Sequence, residues 1–200
     1  MSVAVRSVHA CCLLALSLAA PLALLPDLAS GQNVLVVYHS VTGHTRLMAD
    51  AVAEGARKEV GVDVRVRSVG EAATEDLLWA DAVVLGGPVR SGNVSPEVAT
   101  FLNAMPFDGS MKDKVGAAFT TGGGISAGEE LAQVAVLHAM LVYGMIVIGG
   151  PEWTSAFGAS AVTGEAPFVD LPEGVSVAPE FLEKARALGR RVAVVAGRLR

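Results

Sequence analysis

From residue 31 onward, short continuous apolar runs alternate with stretches whose apolar residues recur every three or four positions. NVLVVY (33–38) is an unbroken, β-branched run, which predicts a strand buried on both faces. From Gly43 to about Glu59 the spacing turns helical, with Leu47, Ala51 and Gly55 on one face, Met48 and Val52 beside them, and Gly61 closing the element. VDVRVRSV (62–69) alternates apolar and polar residues, the pattern of an edge strand with one wet face. A short helix is predicted around Thr74 to Ala80. DAVVLGGP is a second fully buried strand, and Ser95 to Met105 reads as a helix with Pro96 at its first position. KVGAAFTT is a further strand, Ala127 to Tyr143 a helix, MIVIGG the last strand, and 151–176 irregular. Val177, Phe181, Ala185, Leu188, Val192 and Val195 step by three or four, marking a final helix over about 178–197.

Five strands alternating with helices predict an α/β fold of three layers, a parallel sheet with helices on both faces. The second strand looks like an edge and the first and third look central, so the expected strand order is 2-1-3-4-5. Residues 31–200 read as one domain, with no linker or repeat.

Residues 1–30 differ. One Arg near the start, an apolar run from Ala10 to Leu25 broken by Pro21, and small residues at Ala29 and Ser30 follow the order of a secretory signal peptide cleaved after Ser30. The expected location is therefore periplasmic or secreted, with a membrane-anchored or cytoplasmic protein as the alternative. Both cysteines, Cys11 and Cys12, lie in this segment, so the mature chain would carry no disulfide, thiolate nucleophile or cysteine-ligated metal; no metal site is expected. Apolar residues are 52% and charged ones 18% of the chain, and the net charge is −5. That describes a globular acidic domain and argues against nucleic acid as a partner.

In such sheets ligands bind beyond the carboxyl ends of the strands. Three strand ends carry unusual loops: SVTGHT (40–45), GGPVRSGNV (86–94) and TTGGGISAG (120–128). The first leads directly into a helix, whose opening amides are unpaired and whose dipole is positive at that end. Ser40, Thr42 and Thr45 add hydroxyls, and Gly43 permits the tight turn, so the loop reads as a phosphate seat of neutral donors or as a plain capped turn. It contains no lysine, which excludes a nucleoside triphosphate P-loop. Gly122, Gly124 and Ala127 have G-x-G-x-x-A spacing but follow a late strand, and no acidic residue ends a strand some twenty residues on, so a dinucleotide fingerprint is rejected. Tyr38, His39 and Ser40 stand where a phosphoacceptor receiver would carry carboxylates, so that reading is rejected too.

VLVVYHSVTGHTRLMADAVAEGAR, ADAVVLGGPVRSGNVSPEVATFLN, FTTGGGISAGEE and YGMIVIG resemble the flavodoxin-like flavoproteins, and specifically the WrbA-type NAD(P)H:quinone oxidoreductases, over residues 33–197. PVRSGN is the distinctive match. The resemblance implies FMN as cofactor, NAD(P)H and a small-molecule quinone as substrates, and the sheet order already expected. It implies that Ser40, Val41, Thr42, Gly43, His44 and Thr45 hold the FMN phosphate. Val89, Arg90 and Ser91 would line the isoalloxazine, with Pro88, Gly92 and Asn93 shaping the loop. Thr121, Gly122, Gly123, Gly124, Ile125 and Ser126 would contact the ribityl chain and the other edge of the ring. Tyr143 stands where the family pattern carries a His that reaches the flavin of a neighbouring subunit, and the family's insertion after the second strand is missing. No catalytic side chain is assigned.

Some side chains carry two readings. His44 is a phosphate or substrate contact, or a solvated first-turn residue. Arg90 offsets charge at the cofactor, or is an exposed loop cation. Trp153 walls the substrate pocket, or packs. His138 reads as a satisfied helix histidine. LAQVAVLHAMLV (131–142) carries no charge, so the helix must be covered on more than one side, either by a second subunit in a homo-oligomer or by the core. Three functions remain open: an FMN-dependent NAD(P)H:quinone oxidoreductase, a flavodoxin-type electron carrier without turnover of its own, and a flavodoxin-like protein that has lost FMN. Neither PVRSGNV nor TTGGGISAG carries the aromatic side chains that flank the flavin in carriers, which favours the enzyme.

Overall fold

The computed structural model describes residues 31–199; the expected leader lies outside the described residues. The elements are β1 (Gln32–Tyr38), α1 (His44–Ala56), β2 (Val62–Ser68), α2 (Thr74–Trp79), β3 (Ala82–Pro88), α3 (Pro96–Ala104), β4 (Val115–Gly122), α4 (Glu129–Val142), β5 (Ile146–Val147), β6 (Ala159–Val162) and α5 (Pro179–Arg198). The sheet is parallel throughout, in the order β2-β1-β3-β4-β5, as the sequence pattern predicts.

β1 lies between β2 and β3, with Val34 opposite Val64 on one side and Ala82 on the other. Its alternate residues feed two cores. Val34 and Val36 join Val84, Ala117 and Phe119 under α1 and α5, while Leu35 and Val37 join Val83, Leu85 and Ala118 under α3 and α4. This is why the run shows no alternation: both faces are covered. Each fully buried aliphatic side chain contributes about 1.5–3 kcal/mol.

The buried stripe of α1 is Thr45, Met48, Ala49 and Val52, with Ala51, Gly55 and Ala56, while Leu47 is 39% exposed. The stripe is thus rotated from the face that the sequence spacing had centred on Leu47. Gly55 and Gly189 let α1 and α5 cross closely. A Cβ at Gly189 would lie 1.9 Å from the Val52 carbonyl oxygen, and one at Gly55 1.9 Å from that of Arg186.

β2 is an edge strand. Its outward Arg65 and Arg67 converge on Asp76 of α2 at 2.9 and 3.4 Å, and the Arg65 guanidinium lies 3.9 Å from the centre of the Trp79 ring. Charges on an edge strand discourage pairing with another chain.

The fifth position departs from the expectation of a single strand over 145–150. β5 pairs only with the start of β4, at Val115 and Gly116. β6, within the stretch expected to be irregular, pairs with the end of β4 from Phe119 to Gly122. Residues 148–158 leave the sheet between them, closed by the Gly150 amide on the Ser155 carbonyl at 2.8 Å and held to α5 by Arg191 on the Gly150 carbonyl.

Candidate functional site

The carboxyl ends of β1, β3 and β4 place the three loops side by side. In the first, Ser40 Oγ accepts hydrogen bonds from the amides of Gly43 (3.2 Å) and Arg46 (3.3 Å). Its lone pairs are thus engaged inward and its own proton is free to point out of the loop. Gly43 caps α1 with φ of +93°, and the first-turn amides of His44 and Thr45 have no intrahelical acceptor. Thr42 Oγ1 lies 3.0 Å from His44 Nδ1, and Val41, Thr42 and Gly43 are exposed. A cavity of about 480 Å³ opens against this loop, lined by His39, Ser40, Gly43, Arg46 and Ser68 among others.

Thr45 is the exception among the hydroxyls. Its side chain is 2% exposed, and Oγ1 lies 2.8 Å from Oγ1 of Thr121, itself 5% exposed. What Thr45 offers outward is its amide; its hydroxyl latches the first loop to the third.

The second loop is a tight hairpin. Arg90 and Asn93 exchange backbone hydrogen bonds of 2.8 and 2.9 Å, with Ser91 at φ +49° and Gly92 at φ +72° between them. Positive φ at both central residues is the signature of a type I′ turn, which explains the compact RSGN sequence. Val89 donates its amide to the Thr121 carbonyl at 2.8 Å, tying this loop to the third. Gly128 tightens the contact: a Cβ there would lie 2.7 Å from the Gly92 Cα. Arg90 is exposed, and Pro88 and Val89 are half-buried.

The third loop is braced by a partner that the sequence did not announce. The Glu165 carboxylate accepts the Ile125 amide at 2.7 Å, and Thr163 donates both its amide and its hydroxyl to the Gly122 carbonyl. Gly123, Ile125 and Ser126 remain exposed. Beside the loops, His39 Nε2 lies 3.4 Å from a Glu97 carboxylate oxygen. The Glu97 carboxyl is held below its ordinary range, first by its own backbone amide, with His39 and Arg90 adding to the effect against burial. Neither Glu165 nor the His39–Glu97 pair carries a motif; only the folded chain brings them to the loops.

The remaining sequence candidates lie elsewhere. Tyr143 ends α4 at the amino-terminal end of β4 and β5, opposite the loops; its hydroxyl donates to the Leu102 carbonyl at 2.5 Å and its ring meets Phe107 edge-on. Within one chain it therefore does not reach the cradle. Trp153 is 87% exposed on the 148–158 excursion. His138 is exposed on α4, whose outer face also carries Leu131 (68% exposed), Leu141 (52%) and Val142 (68%). Among the described residues no three His, Cys, Asp or Glu side chains form a metal cluster, and no helix is long and apolar enough to cross a membrane.

A seat of amides and hydroxyls at a helix start, flanked by two short loops of mostly uncharged residues, fits a phosphate monoester carrying a flat uncharged ring system. At Gly43, Gly92 and Gly123 a Cβ would meet nothing within 4 Å, so room remains beside each loop. The doubly covered parallel sheet in 2-1-3-4-5 order, with its cradle at the ends of β1, β3 and β4, defines an α/β protein of the flavodoxin type.

Comparison with known proteins agrees. A family model described as a flavodoxin domain matches residues 35–135. A flavodoxin of Aquifex aeolicus is 37% identical over 80% of this chain and 85% of its own length. An NAD(P)H dehydrogenase (quinone) of Methylocella silvestris is 33% identical over 84% of this chain and 98% of its own. Among solved structures, a WrbA-like flavodoxin from Agrobacterium tumefaciens superimposes with a TM-score of 0.70 at 26% identity, covering 85% of this chain and all of that one. The chain belongs to the flavodoxin family.

Proposed function

We propose that the protein binds FMN in the three-loop cradle and transfers two electrons from NAD(P)H to a quinone. The observation that carries this reading is the open cradle. The second loop is a four-residue hairpin and the third is glycine-rich, and neither places an aromatic side chain against the other. A flat ring held between them keeps a face free for a nicotinamide or a quinone. Relatives named NAD(P)H dehydrogenase (quinone), 30–33% identical and matched over most of their length, support it.

FMN supplies the two-electron chemistry when bound. The chain's own residues bind and orient. Ser40, Thr42 and the amides of Val41, Thr42, His44 and Thr45 would hold the phosphate, with Gly43 shaping the turn and the His44 ring beside them. Val89, Arg90 and Ser91 would lie along the ring, and Thr121 to Ser126 along its other edge and the ribityl chain. Preorganised amides next to the ring would favour negative charge developing there. Arg90 and Arg46 are the nearby cations. Product protons can come from solvent, since the site is open.

The Aquifex relative named flavodoxin keeps the electron-carrier reading as the second one. The test is steady-state oxidation of NAD(P)H by the FMN-loaded protein with a benzoquinone acceptor. Turnover supports the enzyme; a stable flavin spectrum without turnover supports the carrier. Protein that stays colourless after incubation with FMN removes both. Export and a homo-oligomer through the outer face of α4 belong to the same proposal. A mature protein beginning at Gly31 supports export, and one beginning at Met1 overturns it.

A further inference from the structure

Between the first two turns of α4 and the 148–158 excursion lies a cavity of about 310 Å³, lined by Glu130, Gln133, Trp153, Phe157 and Ser160 among others. That volume is at the lower end of small-ligand sites. Gln133 is 2% exposed, and its side-chain amide nitrogen has no hydrogen-bond partner among the described residues. A buried amide left without an acceptor is costly, so such a group marks a place where something else supplies one.

The opposite wall is unusual for the opposite reason. Trp153 is 87% exposed and Phe157 44% exposed, although both sit on a well-tied segment. The Ser155 hydroxyl donates to the Glu152 carbonyl at 3.1 Å, the Gly150 amide to the Ser155 carbonyl at 2.8 Å, and Lys184 Nζ to the Thr154 carbonyl at 3.4 Å. A large aromatic held out on a braced turn is a stacking platform.

The chemistry of the lining selects the ligand. Gln133 lacks an acceptor, the exposed Glu130 carboxylate can accept from a donor, and Trp153 offers a flat π-face. A quinone offers acceptors only and would set its carbonyl lone pairs against Glu130. A purine with an exocyclic amino group offers a ring nitrogen to the amide and a donor to the carboxylate, the pairing by which amide side chains read adenine. A second cavity, of about 410 Å³, shares Glu130 and Ser160 with the first and runs back to Ile125, Ser126 and Gly128 of the third loop. It lies at the start of α4, but Glu129 and Glu130 stand in that first turn and line it, so it is no seat for a dinucleotide's pyrophosphate, which is left toward solvent.

We propose that this cavity seats the adenine of the nicotinamide dinucleotide, stacked on Trp153 and hydrogen-bonded by Gln133 and Glu130. The proposal rests on the reading of NAD(P)H as reductant. Neither cavity is lined by Lys or Arg, so the 2′-phosphate of NADPH would face Glu130 without a counter-ion, and NADH is the preferred nucleotide.

The test is calorimetric titration of the FMN-loaded protein with AMP, together with NADH, NADPH and reduced nicotinamide mononucleotide as alternative reductants. Base–aromatic stacking sets the scale, so Trp153→Ala is expected to weaken AMP about tenfold, and Gln133→Leu by a similar factor. In both variants the kcat/KM advantage of NADH over the mononucleotide, which has no adenine, should collapse. AMP binding that survives both substitutions, an NADH advantage that survives both, or a preference for NADPH overturns the proposal. Failure of the reductant reading looks different: the wild type would not oxidise NADH at all. AMP binding that is lost in both variants would then still support an adenine seat.

Discussion

The buried hydroxyl pair Thr45–Thr121 offers a quantitative test of how the cradle is held together. The two oxygens are 2.8 Å apart, at 2% and 5% exposure, and they join α1 to β4 across 76 positions of sequence. Thr45→Val keeps the shape of the side chain and removes the hydroxyl, leaving that of Thr121 buried. An abandoned buried polar group costs about 1–3 kcal/mol, so each single valine variant should lose about 1.5–2 kcal/mol of unfolding free energy. The double variant Thr45→Val/Thr121→Val abandons nothing, because both polar groups are gone. It should lie within about 1 kcal/mol of wild type, giving a coupling energy of at least about 2 kcal/mol in the double-mutant cycle. Urea denaturation of the FMN-free protein reads all four corners. The same variants titrated with FMN read the site: if the latch sets the spacing of the first and third loops, the singles bind more weakly, by about tenfold for each 1.4 kcal/mol. Single-variant losses that simply add in the double would refute the latch, whatever the size of each.

Three further outcomes follow from other contacts. Lys114 Nζ donates to the carbonyls of Leu77 (2.9 Å), Leu78 (3.0 Å) and Ala80 at the end of α2, so Lys114→Met should cost about 2 kcal/mol, seen as a lowered urea midpoint. Burial acts to raise the Asp76 carboxyl, but hydrogen bonds from Arg65 and the Ala73 amide, with the charges of Arg67 and Arg65, outweigh it and hold the carboxyl below its ordinary range. That stabilisation is present above the unfolded carboxyl's pKa of about 4 and is lost as pH falls through the lowered folded value; Asp76→Asn should flatten the acid limb of a stability–pH curve. If the outer face of α4 is covered by a second subunit, Leu141→Lys should reduce the mass measured by light scattering, while an unchanged mass places the interface elsewhere.

The fold was legible where burial is uniform. β1, β3 and β4 are continuous apolar runs because helices cover both faces, and the wet alternation of β2 marked it as an edge. The loops were legible because glycine and hydroxyl residues clustered at three strand ends. β6 was not: ASAV is four residues of small side chains, and its identity as a strand comes from pairing with Phe119 to Gly122 rather than from any period of its own. The same holds for Glu165, whose contact with the Ile125 amide spans 40 positions. The inward turn of Thr45 was not legible either: the sequence spacing centres on Leu47 and the loop pattern counts the Thr45 hydroxyl among the phosphate donors, whereas Thr45, Met48, Ala49 and Val52 form the buried stripe and the hydroxyl meets Thr121. The uncharged helix 131–142 shows the limit of such patterns. Ala132, Val136 and Met140 turn to the core as the period requires, yet Leu131, Leu141 and Val142 stay exposed on the opposite side. An apolar surface has the same composition whether its own domain covers it or another copy does. The periodicity calls for a second cover, and the folded chain leaves that outer face of α4 open to solvent.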